Sequence, residues 1–259
     1  MSAFADALAG ARRPLVMEVK RRDADGADLL GGRPVAEVVA AYEAAGAPCV
    51  SVVTGRWFGG DEELLSEVAS LTALPLLRKD FITSRGQLRR SRERGASAVL
   101  LTAGLLSGDT LERLTDQALE LGLTPFVEVA DAAEAAAVRH GEHCVVAVNN
   151  KDIATRERGA GDLGRSGELL PAVRATGTRF PVSASGIRRP EQAAALVGAG
   201  YAGLLIGTGL LRADSLAGWC AEYDRARAAR CAGPDPVREP DGSRGTDRSG
   251  GAGASGAGG

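Results

Sequence analysis

Histidine is almost missing from this chain of 259 residues, where His140 and His143 are the only two. Catalytic triads and most zinc sites depend on imidazole, so the scarcity argues against both classes and we predict no metal site. The H-x-x-H spacing is typical here of a helix end and a loop. If the chain is an enzyme, lysine, glutamate and aspartate must carry the proton chemistry.

An excess of charge of one sign and a long apolar run are also missing. The chain has 33 acidic and 31 basic side chains, a net charge of −2. This balance gives no electrostatic reason to expect a nucleic acid or an anionic membrane as a partner. No apolar run approaches the ~18 residues that a membrane span requires. The first residues lack the profile of a secretory signal, and the four cysteines form no C-x-x-C pair. We therefore predict a cytoplasmic protein with reduced, mostly buried thiols.

Apolar residues are scarce in residues 232–259, which are rich in Gly, Ser, Pro and charge. Such a segment cannot bury enough apolar surface to offset the entropy of ordering. The prediction is a folded domain over 1–231 followed by a disordered tail over 232–259.

Eight short apolar runs alternate with Ala-rich amphipathic segments before that tail. The runs span residues 14–20, 49–53, 75–79, 98–102, 125–129, 144–149, 180–185 and 202–207. Nearly continuous Val- and Leu-rich runs are typical of parallel strands covered on both faces. Eight strand–helix units in about 230 residues match a single α/β domain, a (β/α)8 TIM barrel. A doubly wound sheet is the competitor, but no G-x-G-x-x-G follows the first run.

Charged side chains stand where several of these strands end. Glu18 and Lys20 share a face of the first strand with Val16, Lys79 closes the third, and Glu128 lies in the fifth. The chemistry of such barrels lies at the carboxyl ends of the strands. A salt-bridge network closing the barrel is the alternative for any one of them. Two lysines and two glutamates on three strands favour a catalytic site.

The seventh and eighth strands end in S-A-S-G-I and I-G-T-G-L-L, which combine glycine with Ser or Thr before a short helix. Small residues allow backbone N–H groups to approach an anion, and barrels commonly hold phosphate at this position. Tight turns without a ligand are the alternative. The two turns together predict a phosphate site.

The segments M-E-V-K-R-R, L-P-L-L-R-K-D-F-I, P-F-V-E-V, V-N-N-K-D-I, S-A-S-G-I-R-R-P-E and L-L-I-G-T-G-L-L-R-A-D occur in this order. Over about residues 14–215 the chain resembles the indole-3-glycerol-phosphate synthase family, barrel lyases of tryptophan biosynthesis. The resemblance implies a cofactor-independent ring closure with decarboxylation and dehydration. Its substrate is an anionic sugar phosphate, 1-(2-carboxyphenylamino)-1-deoxyribulose 5-phosphate, and the implied assembly is a monomer or weak homodimer.

The resemblance also implies roles for individual residues. Lys79 resembles the general acid that protonates the sugar carbonyl, and Lys20 the lysine that pairs with the substrate carboxylate. Glu128 resembles the base of the dehydration, Glu18 tunes the lysines, and Asn149 orients the substrate. The remaining predicted contacts are Lys151 and Ser183 to the substrate, and Ser185, Gly186, Gly207 and Thr208 to the phosphate.

The chain departs from the family at several positions around this site. Ala184 stands where the family usually has glutamate, and Lys151 where arginine is usual, which gives up a bidentate fork. Asp23 and Asp25 follow the first strand, where negative charge would disfavour an anionic substrate. Only 17 residues precede Glu18, which we expect to be too few for an extra helix over the barrel mouth.

These departures keep other functions open. A paralogue could act on a modified arylamine sugar phosphate in specialised metabolism. A barrel that binds a phosphate ligand without catalysis is a second alternative, which the retained lysines and Glu128 argue against. An aldose–ketose isomerase would need an Asp or Cys acid/base pair at the strand ends and ranks lowest.

Overall fold

The structure is a computed structural model that describes residues 2–151 and 161–231. The predicted tail at 232–259 lies outside the described residues, as do residues 152–160 after the sixth strand. Three of the four cysteines are buried and all four are free thiols, as predicted. No helix in the described ranges is long and apolar enough to cross a membrane.

Eight parallel strands form a closed barrel in which each strand pairs with the next and β8 pairs with β1. The strands are β1 Leu15–Val19, β2 Val50–Val53, β3 Leu76–Lys79, β4 Ala98–Thr102, β5 Thr124–Val129, β6 Val145–Asn149, β7 Phe180–Ala184 and β8 Gly203–Ile206. Every strand lies within or closely matches one of the apolar runs. The predicted TIM barrel is confirmed.

Helices surround the barrel and connect its strands. They are α1 Ala3–Ala9, α2 Val35–Ala44, α3 Glu62–Leu71, α4 Arg85–Glu93, α5 Gly108–Glu120, α6 Ala132–Ala136, α7 Gly164–Ala175, α8 Pro190–Ala199, α9 Thr208–Leu211 and α10 Leu216–Cys231. Several begin at a side-chain cap: Asp61 accepts the N–H of Leu64 at 2.7 Å, and Asp131 that of Glu134 at 2.8 Å. Such caps satisfy donors that a first helical turn leaves unpaired, and so fix where the helix leaves the loop.

Strand register decides which side chains point into the barrel. Residues paired across parallel strands face the same side, and Asn149, Ala184, Leu205 and Val16 are paired in succession from β6 to β1. Three of these, Val16, Ala184 and Leu205, pack in the interior apolar cluster. Alternation along β1 then places Glu18 on the interior face with Val16, as predicted.

The amino-terminal helix α1 covers the opposite end of the barrel from the strand carboxyl ends. Phe4 packs edge-to-face on Phe126, with ring centroids 6.3 Å apart. Its carbonyl accepts the thiol of Cys49 just before β2, and Leu8 lies against Gly203 at the start of β8. A helix therefore does precede β1, but it closes the base of the barrel rather than the mouth.

Replacing Phe4 with alanine should destabilise the protein without affecting its active site. Phe4 is fully buried, and removing such a ring leaves a cavity that costs about 3–5 kcal/mol. Urea unfolding should show this loss, whereas Leu71→Ala, at a side chain 37% exposed, should cost under about 1 kcal/mol. An altered KM in Phe4→Ala with unchanged stability would contradict the assignment of α1 to the base.

Candidate active site

The carboxyl ends of β1, β3, β5 and β6 bring five polar side chains to one mouth of the barrel. Lys79 is paired with Val53, which is on the same face of β2 as Ser51. Glu128 is paired with Ala147, which is on the same face of β6 as Asn149. The five are Glu18, Lys20, Lys79, Glu128 and Asn149, and each is at most 8% exposed. Charged groups at such depth are costly unless they are paired or hydrogen-bonded. The strand pairings and the burial together place these side chains at one mouth of the barrel, as the sequence predicted.

Lys20 lies between a carboxylate and an aromatic ring. Its Nζ is 3.6 Å from Oε1 of Glu18 and 4.8 Å from the centroid of the Phe58 ring. The Ser51 hydroxyl donates to the second oxygen of Glu18 at 3.5 Å. Behind them the Tyr42 hydroxyl donates to the main-chain oxygen of Glu18 at 2.9 Å. These contacts hold the ammonium group of Lys20 facing the mouth.

Glu128 is oriented by the neighbouring strand. Its Oε1 accepts a hydrogen bond from Nδ2 of Asn149 at 3.0 Å. Oδ1 of Asn149 in turn accepts the backbone N–H of Lys151 at 2.9 Å. The guanidinium of Arg165 donates to the main-chain oxygens of Asn149 and Lys151, which holds the end of β6 in place. A carboxylate fixed in this way can accept a proton at a defined position.

A pocket of about 480 Å³, including the open space at its entrance, adjoins this cluster. Its lining residues are Glu18, Lys20, Lys151, Ser185, Gly186, Ile187, Arg188, Leu205, Ile206, Gly207, Thr208 and Gly209. The four predicted phosphate ligands thus lie together with Lys20 and Lys151. A Cβ at position 207 would collide with the carboxylate of Glu18, so a larger residue there would displace that carboxylate from its place in the pocket.

The structure gives Ser183 a position different from the predicted one. Ser183 pairs with Val148 and Leu204, which belong to the outer apolar layer, and it is fully buried. Its hydroxyl is bonded to Ser166 and Asn150 rather than lining the pocket. The prediction that Ser183 contacts the substrate is therefore wrong, because its side chain faces α7 and not the pocket. Alternation along β7 puts Ala184, not Ser183, inside the barrel.

The negative charge expected at Asp23 is compensated locally. Its carboxylate pairs with Arg212, and Oδ1 accepts the N–H groups of Asp25 and Ala27 at 3.0 and 2.9 Å. Burial would raise the pKa of Asp23, but those two hydrogen bonds and the charges of Arg212 and Lys20 hold the pKa below its ordinary value. The loop after β1 is therefore anchored to the end of α9.

Sequence reasoning missed several residues of the site. Ser51 donates to Glu18, Phe58 contacts Lys20, and Arg188 lines the pocket. Asn150 supports the site from behind. One signal in the composition could have strengthened the prediction. The chain contains three lysines, Lys20, Lys79 and Lys151, and every other cation except histidine is arginine. All three lysines stand at the carboxyl ends of strands.

The fold and this cluster together define a (β/α)8-barrel enzyme with buried amines and a carboxylate beside a pocket suited to an anion. A sequence model of indole-3-glycerol phosphate synthase matches residues 1–222. The chain belongs to the indole-3-glycerol phosphate synthase family and is a lyase of that type.

Individual relatives agree with this membership. The chain is 34% identical over 213 residues to indole-3-glycerol phosphate synthase of Aquifex aeolicus, covering 82% of this chain and 81% of the relative. It is 36% identical over 205 residues to the synthase of Pyrococcus furiosus, covering 79% and 88%. A match to the tryptophan biosynthesis protein TrpCD of Archaeoglobus fulgidus, 37% identical over 186 residues, covers 70% of this chain and 33% of that longer protein.

A solved structure shares the fold at much lower sequence identity. Tryptophan synthase subunit alpha of Legionella pneumophila superposes with a TM-score of 0.62 at 12% identity, covering 88% of this chain and 99% of that one. That likeness shows the barrel alone. The family membership supports indole-3-glycerol phosphate synthase function, and it supports neither the paralogue on a modified substrate nor the non-catalytic binding barrel.

Proposed function

We propose that the chain converts 1-(2-carboxyphenylamino)-1-deoxyribulose 5-phosphate to indole-3-glycerol phosphate as a carboxy-lyase, with its own side chains as the only catalysts. The ring carbon that bears the carboxylate attacks the sugar carbonyl, so a carbon–carbon bond forms. The carboxylate then leaves as CO2, and the new hydroxyl leaves as water when the adjacent carbon loses a proton. The observation that carries this proposal is the convergence of Lys20, Lys79 and Glu128 beside the anion pocket.

Lys79 is the proposed general acid of ring closure. Its amine lies on the interior face at the end of β3 and is 8% exposed. An ammonium group held in a site largely closed to water can deliver a proton to the oxygen of the sugar carbonyl as negative charge develops there. We assign that step to Lys79 because it stands at the position of the general acid in the family to which the chain belongs.

Lys20 is the proposed partner of the substrate carboxylate, and it also assists departure of the hydroxyl. Its Nζ lines the anion pocket and faces Phe58, so it can contact both the phosphate side and the aryl side of a bound molecule. Oε1 of Glu18, 3.6 Å from Nζ, pairs with the amine and helps to hold it at the mouth.

Glu128 is the proposed base of the dehydration. The hydrogen bond from Asn149 at 3.0 Å fixes one carboxylate oxygen. The carboxylate can then accept a proton at a defined position. Glu128 is 2% exposed on the interior face of β5, so its carboxylate is held largely out of contact with water.

The two ends of the substrate fit different parts of the mouth. Ser185, Gly186, Gly207 and Thr208 are the proposed phosphate ligands, and Lys151 adds positive charge to the same pocket. Aromatic side chains follow β2 and β3: Trp57 is 61% exposed and packs edge-to-face on Phe81 at 5.4 Å. We propose that this side receives the aryl ring.

The remaining sequence predictions stay predictions. They are the monomer or weak homodimer, the cytoplasmic location, and the division into a catalytic domain over 1–231 and a disordered tail over 232–259.

The test is turnover of the standard substrate by the purified full chain, followed by indole fluorescence and by CO2 release in parallel. We expect one CO2 for each indole formed, with no added metal or organic cofactor and with a chelator present. A chain that turns over only ring-substituted analogues would support the paralogue instead. Saturable binding of the substrate without any turnover would support a non-catalytic barrel and contradict the proposal.

A further inference from the structure

Asn150 follows the catalytic strand β6 and supports the anion pocket from behind. It is 1% exposed, and its side chain points away from the pocket into the layer between β7 and α7. It is not among the pocket-lining residues, so it cannot contact a bound anion directly. Its hydrogen bonds nevertheless end on the turn that carries the predicted phosphate ligands.

The amide nitrogen of Asn150 bridges three acceptors at the end of β7. Nδ2 lies 3.0 Å from Oγ of Ser183, 3.0 Å from the main-chain oxygen of Ala184 and 3.1 Å from that of Ser185. The backbone N–H of Asn150 also donates to the main-chain oxygen of Ala184 at 3.0 Å. One residue therefore ties the end of β6 to two successive peptide groups of the β7 turn.

The orientation of this amide is fixed from its other side. Oδ1 of Asn150 accepts the hydroxyl of Ser166 at 2.7 Å, and that hydroxyl is 2.8 Å from the hydroxyl of Ser183. Tyr201 donates to the main-chain oxygen of Ser166 at 2.7 Å and holds α7 in position. With Oδ1 facing a donor and Nδ2 facing acceptors, a carboxylate could not replace the amide without repulsion.

The turn that Asn150 holds has a conformation that side chains rarely adopt. Ser185 has φ 66° and Gly186 has φ 77°. Gly186 is also packed closely: a Cβ added to Gly161 would lie 2.6 Å from its Cα. A residue other than glycine seldom stays in the left-handed region unless its surroundings impose it. The hydrogen bonds of Asn150 to the peptide oxygens of Ala184 and Ser185 impose it here.

We propose that Asn150 is a positioning residue for the anion pocket, which sets the left-handed turn at Ser185 and Gly186 and thereby the affinity for the phosphate group of the substrate. The residue acts on binding rather than on the chemical steps, because Glu128 and Asn149 are oriented through other contacts. The proposal rests on the proposed function only in naming the substrate, since inorganic phosphate probes the same pocket.

The experiment compares Asn150→Asp with Thr178→Val. Asn150→Asp keeps the size of the side chain and turns its donor into an acceptor. Thr178 is a matched control near the other end of β7, where its buried hydroxyl donates to the main-chain oxygen of Cys144 at 2.7 Å. For each full-length variant, calorimetry gives the Kd of inorganic phosphate, turnover gives KM and kcat, and melting gives Tm.

We expect Asn150→Asp to raise the phosphate Kd and the KM at least tenfold while kcat stays within threefold. Thr178→Val should lower Tm and leave both binding constants unchanged. Ser166→Ala removes the donor to Oδ1 together with the contact to the Ser183 hydroxyl, and it should raise the phosphate Kd at least threefold. This variant is the deciding one if Asn150→Asp does not fold. The proposal is overturned if phosphate does not bind the unaltered protein, or if the deciding variant binds phosphate with a Kd within twofold of normal. It is also overturned if Thr178→Val raises the phosphate Kd as much as the deciding variant does. Phosphate binding without turnover in the unaltered protein would refute the proposed function and leave this inference standing.

Discussion

Replacement of Lys79 by methionine should lower kcat by a factor of about 10²–10⁴, the range that a positioned general acid contributes. Methionine has a similar length and suits a buried position, so the barrel should remain folded. The amine is the proposed donor of the proton to the sugar carbonyl, and no other lysine lies on β3. Steady-state turnover should show the loss mainly in kcat, with KM changed less than tenfold because the phosphate ligands are intact.

Arg92→Met is the matched control for this change. Arg92 is an exposed cation on α4, the helix that follows β3, so its loss removes a positive charge without affecting the mouth. Its kcat should equal that of the unaltered protein. A kcat within threefold of normal in Lys79→Met would remove Lys79 from the mechanism.

Glu128→Gln should separate the two halves of the reaction. Glutamine can still accept the hydrogen bond from Asn149, so the geometry is kept while the base is lost. Indole formation should fall by a factor of about 10²–10⁴. Ring closure and decarboxylation do not need this base, so rapid mixing should show a burst of CO2, up to one per active site, without matching indole fluorescence.

A half-buried carboxylate in the same unit serves as the control. Glu134, in α6 after β5, accepts the backbone N–H of Ala130 at 2.7 Å, and burial raises its pKa. Glu134→Gln should leave indole formation unchanged. If Glu128→Gln lost CO2 release and indole formation equally, Glu128 would act in ring closure and not in the dehydration.

The barrel could be predicted from the sequence because each strand is buried on both faces. Continuous apolar runs such as 98–102 and 144–149 then differ clearly from the amphipathic helices between them. Two of the helices have a weak signal in the sequence. The helix α7, Gly164–Ala175, contains glycine and an internal proline, which weaken its helical pattern. The short α1 is held by the packing of Phe4 and Leu8 at the barrel base, and no local pattern shows that packing.

Individual site residues were predictable only where charge made them stand out. Glu18 and Glu128 interrupt apolar strands, Lys79 ends β3, and Lys20 directly follows β1. Strand pairing places Glu18, Lys79 and Glu128 on the interior face. The orientation of Ser183 could not be predicted from the sequence, because small residues occupy consecutive positions at the end of β7 and give no pattern of alternation.

Contacts between separate strands explain the remaining differences. The Ser51 hydroxyl near Glu18 and the Asn150 bridge to β7 depend on strand register, which one sequence does not reveal. The compensation of Asp23 by Arg212 joins residues 189 positions apart in the same way.

The three lysines allow a direct test of the central claim, that all of them face one substrate site at the barrel mouth. Protein labelled with 13C at lysine Cε should give three side-chain signals, assigned through single Lys→Arg variants. Inorganic phosphate should shift the signals of Lys20 and Lys151, which line the anion pocket, and indole-3-glycerol phosphate should shift all three. If saturating indole-3-glycerol phosphate left the Lys79 signal in place, that amine would lie outside the substrate site and the account of the mechanism would be wrong.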